Sequence, residues 1–180
     1  WIYGTFQGSG QVTVNSAMSV PNNFPHAVAG TAELRIAGPA TFDAGAGLTM
    51  SSTAKTTVTS TGSVTFQGAS SISLTGTNAT LFEIQNGGTM TKTGAGSLFS
   101  TTPFSNAGTL SIEAGLVNLN NSFTNSGTVK GTGALDLGTT NTNTGTYAPG
   151  LSPGTLSVTG NYTNSILDIE IEAGTPVTKD

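Results

Sequence analysis

One phrase, Asn-x-Gly-Thr followed by an apolar residue, occurs four times in this chain: Asn86-Gly87-Gly88-Thr89-Met90, Asn106-Ala107-Gly108-Thr109-Leu110, Asn125-Ser126-Gly127-Thr128-Val129 and Asn143-Thr144-Gly145-Thr146-Tyr147. The asparagines are 106 − 86 = 20, 125 − 106 = 19 and 143 − 125 = 18 residues apart. A near-constant period of that length belongs to coils wound round an axis, not to the strands of a sandwich, whose turns recur every 8 to 12 residues. The expected fold is all-β, a single-stranded parallel β-helix (β-solenoid) with 18–20 residues per coil, and residues 1–180 read as one such segment.

Local patterning agrees. Apolar and polar residues alternate in Gln11-Val12-Thr13-Val14, Glu33-Leu34-Arg35-Ile36, Ser71-Ile72-Ser73-Leu74, Leu156-Ser157-Val158-Thr159 and Leu167-Asp168-Ile169-Glu170-Ile171-Glu172, each a short strand with one buried face. Gly62, Gly68, Gly76, Gly94, Gly96, Gly131 and Gly133 punctuate them. Three strands of four or five residues with their corners fill a coil. About nine coils at ~4.8 Å each would give a rod on the order of 40 Å long.

The repeat also predicts side-chain roles. Ile84, Phe104 and Phe123 stand two positions before their asparagines and are expected to form a core stack, with Asn141 in that place in the fourth copy. Met90, Leu110, Val129 and Tyr147 have the same parity and should face inward too. The glycines Gly88, Gly108, Gly127 and Gly145 are expected at corners that need positive φ. Asn86, Asn106, Asn125 and Asn143 either stack as an amide ladder along the axis or serve as turn formers that tolerate left-handed geometry. A fainter copy, Ser60-Thr61-Gly62-Ser63-Val64 behind Val58, lies 88 − 62 = 26 residues upstream and implies a longer coil between.

Composition narrows the function classes. Hydrophobic residues make up 35% of the 180, enough for a thin continuous core, and charged residues only 8%, against a usual quarter. Thr, Ser, Gly and Asn supply about half of the chain, so solubility rests on hydroxyls and amides. Richness in β-branched residues and poverty in charge argue against disorder. The net charge is −4, and Arg35, Lys55, Lys92, Lys130 and Lys179 are too scattered to neutralise a run of phosphates, which excludes nucleic acid as a partner. Without cysteine there is no disulfide framework or thiolate chemistry. No apolar run approaches ~20 residues, so membrane insertion by this segment is not expected. The start at Trp1-Ile2-Tyr3-Gly4 and the end at Val177-Thr178-Lys179-Asp180 suggest a segment excised from something longer.

Met90-Thr91-Lys92-Thr93-Gly94-Ala95-Gly96-Ser97-Leu98 resembles the Leu-Thr-Lys-Thr-Gly-Ala-Gly-Thr-Leu core of the autotransporter-associated β-strand repeat, and Asn106-Ala107-Gly108-Thr109-Leu110 is similar to its closing Ala-Gly-Thr-Leu. Pro149-Gly150-Leu151-Ser152-Pro153-Gly154-Thr155-Leu156 resembles a Pro-Gly-x-Ser-Pro-Gly-Thr-Leu segment of late autotransporter passenger coils. The likeness spans residues 82 to 172. It implies a right-handed parallel β-helix, secreted to the bacterial cell surface as a stalk or adhesin segment, whose partners are host or environmental glycans, surface proteins or other copies of itself. The C-terminal membrane barrel of such proteins is not in this sequence.

Candidate chemical sites are few. Gly150-Leu151-Ser152-Pro153-Gly154 fits the Gly-x-Ser-x-Gly spelling of a nucleophile elbow, but Pro153 has no N–H to serve an oxyanion hole and no helix follows. It reads as a turn. Asp168, Glu170 and Glu172 fall on one face of a strand, a row that discourages edge pairing more readily than it binds calcium, which needs six or more oxygens. Asp43, Glu83, Glu113 and Asp136 are isolated, as is His26, expected in a surface loop after Asn23-Phe24-Pro25. No catalytic residue, cofactor or metal is expected, and the chain reads as a non-enzymatic stalk. The alternatives on the same scaffold are a glycan-binding or glycan-cleaving β-helix and an ice-binding solenoid. For ice binding, Thr89, Thr109, Thr128 and Thr146 make one outward column, while Thr91, Ser111, Lys130 and Ala148 make a second that breaks.

Overall fold

The computed structural model describes residues 4–22, 26–75, 80–138, 140–150, 154–160 and 166–167. Every regular element in them is a strand, and every strand pairing is parallel. The chain winds as a β-solenoid with three strands per coil. Coils one to seven run over 4–20, 26–42, 47–67, 70–93, 97–112, 116–131 and 134–149, and strands Ser157–Thr159 and Ile166–Leu167 begin an eighth. The first strands of the coils form an eight-stranded sheet, the second strands a seven-stranded sheet and the third strands another eight-stranded sheet. Seven complete coils make a rod of roughly 34 Å, shorter than nine coils would give.

Coil length changes along the axis. Phe104 pairs with Phe123 and Phe123 with Asn141, offsets of 123 − 104 = 19 and 141 − 123 = 18. In the earlier coils the offsets are longer: Gln11 pairs with Glu33 (33 − 11 = 22) and Ser63 with Thr89 (89 − 63 = 26). The 18–20 period therefore describes the later part of the rod. Part of the extra length upstream lies in the strands, which run six, four and five residues in coil four and four, three and four in coil five.

The interior is a set of columns parallel to the axis. In the third sheet Met90, Leu110, Val129 and Tyr147 stack in register and are buried. Phenylalanine contributes one ring per coil from coil two to coil six: Phe42 and Phe66 from the third sheet, then Phe82, Phe104 and Phe123 from the second. Ring centroids are 4.5 Å apart for Phe42–Phe66, 6.4 Å for Phe66–Phe82, 5.1 Å for Phe82–Phe104 and 6.1 Å for Phe104–Phe123. Where the spine crosses between sheets, smaller or different side chains make room. Thr56 replaces a ring below Phe82 in the second sheet, and Lys92 follows Phe66 in the third.

Ile84 does not belong to the phenylalanine stack expected for it. Phe82 is the register partner of Phe104, and Ile84 is the partner of Asn106. The physical reason is corner length. Coils three and four turn from second to third sheet through four residues, Thr59 to Gly62 and Gln85 to Gly88, each closed by a hydrogen bond from the last N–H to the first carbonyl (2.9 and 2.8 Å). Coils five to seven turn through two, such as Ala107 and Gly108. The same Asn-x-Gly-Thr spelling thus puts Asn86 inside a corner, exposed, and Asn106 at the end of a strand, buried.

The corner glycines are also needed for a different reason than positive φ, which none of Gly88, Gly108, Gly127 and Gly145 adopts. A Cβ on Gly108, Gly127 or Gly145 would run into the carbonyl oxygen of Gly88, Gly108 or Gly127 one coil below, and a Cβ on Gly88 would lie 2.6 Å from the oxygen of Thr59. Close coil-to-coil approach excludes the side chain.

Candidate functional site

Two interior polar constructions and two outer faces concentrate the groups capable of specific interaction. The first construction is an amide ladder. Asn106, Asn125 and Asn143 end successive second-sheet strands with the parity of Phe104 and Phe123, so their side chains point into the core. Asn106 Nδ2 donates to Asn125 Oδ1 at 2.8 Å, and Asn125 Nδ2 donates to Asn143 Oδ1 at 2.7 Å. Further bonds tie the ladder to the backbone: Asn106 Nδ2 to the Thr128 carbonyl at 3.1 Å, and the Gly145 N–H to Asn143 Oδ1 at 3.3 Å. The carbonyl of Asn106 accepts from the N–H groups of both Ser126 and Gly127 (2.8 and 3.1 Å), and that of Asn125 from Thr144 and Gly145 (2.8 and 3.2 Å). The pairing satisfies the middle of the ladder, while at its two ends Asn106 Oδ1 and Asn143 Nδ2 have no partner among the described residues. Asn86 takes no part.

The second construction was not foreseen from the sequence. Lys92 is wholly buried, between Phe66 and Ile112 in the third sheet. Its ammonium donates to the carbonyls of Thr93 and Gly94 in its own corner (2.8 Å each) and reaches that of Ala114 in the next coil at 3.4 Å. Burial holds its pKa below the ordinary lysine value, since carbonyl dipoles replace water only in part. The alternation Met90 in, Thr91 out, Lys92 in carried the signal.

On the outer face of the second sheet, four charges gather at coils two to four. Glu33 accepts hydrogen bonds from Thr57 Oγ1 and Gln11 Nε2 at 2.7 Å and pairs with Arg35 at 3.3 Å, while Lys55 pairs with Glu83 at 2.6 Å. Burial pushes the Glu33 carboxyl up, but the hydrogen bonds from Thr57 and Gln11 and the charges of Arg35 and Lys55 outweigh it and hold its pKa below the ordinary glutamate value. Glu83 is therefore part of an ion-pair cluster. The remaining acids stay apart: Asp136 accepts from Asn118 Nδ2 (2.8 Å) and Thr159 Oγ1 (3.1 Å) on the first sheet, Asp43 sits at the corner after the third-sheet strand of coil two, and Glu113 at the corresponding corner of coil five. Among the described residues no group of three or more His, Asp or Glu could hold a metal. Asp168, Glu170, Glu172, Leu151, Ser152 and Pro153 lie outside the described residues.

His26 is not a surface residue. It opens the first strand of coil two, faces inward beneath Leu48 and is 1% exposed, because its strand begins with an inward position.

The outer face of the third sheet carries two hydroxyl columns. One runs Ser63, Thr89, Thr109, Thr128 and Thr146. The other runs Ser19, Thr41, Thr65, Thr91 and Ser111 and then passes to Lys130 and Ala148. Both columns run side by side at coils three to five, where Ser111 of coil five is itself buried. Upstream continuity was hidden from the sequence because the longer early coils break the period.

Comparison with protein-family models, curated proteins and solved structures returns no match. Among the described residues no helix is long and apolar enough to cross a membrane.

Proposed function

We propose that this chain is a rigid stalk segment of a secreted or cell-surface bacterial protein, adhesin-like, that spaces or displays binding surfaces and performs no chemistry of its own. The observation that supports it most is the unbroken hydrogen bonding of three parallel sheets through seven coils, which gives a rod whose length is set by coil number. The resemblance of residues 90–98 and 149–156 to autotransporter passenger repeats supports surface display. Its partners are glycans or surface proteins of a host or the environment, or further copies of the rod, engaged through weak contacts repeated along the axis.

A glycan array probed with the isolated chain, beside sedimentation to detect self-association, tests the reading. Saturable glycan retention or concentration-dependent assembly supports it. Release of reducing ends from any retained glycan refutes the non-catalytic role.

The paired hydroxyl columns of the third sheet favour a second reading, a neutral periodic ligand lying on that face. Glycan retention abolished by Thr89→Lys and Thr91→Lys together supports a polysaccharide there, and ice-crystal shaping by the wild-type chain supports ice instead.

A further inference from the structure

We propose that Asn86 is a site of spontaneous covalent modification, converting to aspartate and isoaspartate through a cyclic imide formed with Gly87. The corner that holds it is longer than the one stacked above it. Coil four turns through Gln85, Asn86, Gly87 and Gly88, while coil five above it turns through only two residues. The coil-five corner therefore rests on the ends of the longer one: Gly108 lies against the carbonyls of Gln85 and Gly88 and against Ile84 Cγ2. The middle pair, Asn86 and Gly87, projects past it and is exposed.

Neither the Asn86 amide nor the Gly87 N–H has a hydrogen-bond partner among the described residues. Gly87 lacks a Cβ to obstruct attack on its neighbour's side chain and adopts φ +89°, a backbone freedom peculiar to glycine. Hydroxide takes the proton of the Gly87 backbone N–H, the nitrogen attacks Asn86 Cγ, and a five-membered imide closes as ammonia leaves. Water then opens the ring. Cleavage of the bond from nitrogen to Cγ gives aspartate, and cleavage of the bond from nitrogen to the main-chain carbonyl carbon gives isoaspartate. Aspartate carries a side-chain carboxyl with an ordinary pKa of about 3.9 and isoaspartate a main-chain carboxyl with one of about 3.5, both ionised at neutral pH. Isoaspartate also routes the main chain through Cβ, lengthening the corner by one methylene.

Four other asparagines next to corners, Asn106, Asn121, Asn125 and Asn143, are held against this reaction. After Asn106, Asn125 and Asn143, the N–H groups of Ala107, Ser126 and Thr144 donate to the carbonyls of Ile84, Asn106 and Asn125 at 2.8 Å, and the three amides are buried in the ladder. Asn121 has Nδ2 on the Thr101 carbonyl at 2.8 Å, and its Oδ1 accepts the Ser122 N–H at 2.7 Å. In these four, nucleophile or electrophile is already engaged.

The test compares the native chain with the same chain unfolded in urea, both incubated at mildly alkaline pH and mapped by peptide mass and isoaspartyl methyltransferase labelling. The expected result is conversion at Asn86 in the native chain at a rate within about threefold of the unfolded one, as for a segment without structural protection. Asn106, Asn121, Asn125 and Asn143 should convert only in urea. Asn86→Gln, whose longer side chain would have to close a six-membered ring, should abolish the native-state acidic species while keeping the wild-type melting curve. An Asn86 that stays an amide in the native chain while converting in urea overturns the proposal, as does a native-state acidic species that persists in Asn86→Gln.

Discussion

Ile84 lies directly beneath Asn106 in the second sheet, so one interior column changes from aliphatic to amide in a single step. Below the step it reads Val14, Ile36, Val58 and Ile84, and above it Asn106, Asn125 and Asn143. The middle rung both gives and receives, so removing it takes one hydrogen bond from each neighbour and leaves Asn106 Nδ2 with the Thr128 carbonyl and Asn143 Oδ1 with the Gly145 N–H. Asn125→Leu should cost roughly 1–3 kcal/mol, with one hydrogen bond lost by a buried amide on each side. Replacing all three rungs with valine or isoleucine removes the polar atoms together and should cost less than the single change. Urea unfolding of the two variants checks the order, and a triple variant less stable than Asn125→Leu contradicts it.

Phe104 tests the aromatic spine. Its ring lies between Phe82 and Phe123, at 5.1 and 6.1 Å, and is almost wholly buried. Phe104→Ala should lower stability by about 3–5 kcal/mol, and Phe104→Asp should prevent folding by burying an uncompensated charge. Thermal melts of both decide it. A wild-type melting point for Phe104→Asp would mean that the ring does not face the core.

The winding was legible in the sequence because the later coils have short, equal corners, so the Phe104, Phe123 and Asn141 column repeats at nearly equal spacing. Gly88 aligned with Gly108 and Thr89 with Thr109 for the same reason. Asn86 and Ile84 misled because a motif match across a corner counts residues, whereas stacking counts strands; two additional corner residues moved Asn86 out of the core without altering its spelling. The buried Lys92 was legible by parity but outweighed by the general exposure of lysines. The charge cluster was not legible, since Glu33, Lys55 and Glu83 become neighbours only through the 22- and 26-residue offsets of the longer coils (55 − 33 = 22, 81 − 55 = 26).

Lys92 gives an alkaline signature. Its folded pKa is depressed, so the unfolded chain binds the proton more tightly, and stability rises with pH from the lowered value to the ordinary lysine value. Wild type should gain on Lys92→Met across that window. At neutral pH Lys92→Met, which keeps the volume and removes the charge, should cost no more than about 1 kcal/mol. Lys92→Ala should cost about 2–5 kcal/mol through the void between Phe66 and Ile112. Denaturant midpoints measured against pH for the three proteins check this, and a flat difference between wild type and Lys92→Met contradicts it.

Glu33 acts on the acid side. Its folded pKa is depressed, so its contribution is fully present above the ordinary glutamate value and is lost as pH falls through the lowered folded value. Glu33→Gln should destabilise at neutral pH by at most about 1 kcal/mol, the range of surface ion pairs. The gap to wild type should close in acid. Raised salt should narrow it as well, because the partners are partly exposed.

Removal of one whole coil is the most direct test of the winding. Thr128 and Thr146 are register partners, so deleting residues 128–145, a span of 146 − 128 = 18, joins Gly127 to Thr146 and restores Asn-x-Gly-Thr with Tyr147 in the place of Val129. Columns above and below the cut then meet in register, and the ladder keeps Asn106 and Asn125. The shortened chain should give an unchanged β-type circular dichroism spectrum per residue and unfold cooperatively, with a smaller denaturant dependence in proportion to the surface lost. Deleting 128–144 removes one residue fewer and leaves Gly145 between Gly127 and Thr146. The corner must absorb that residue, or the third-sheet strand shifts by one and turns Tyr147 outward. This second deletion should be the less stable of the two, although it retains more of the chain. Equal stability would show that coil register does not govern the packing.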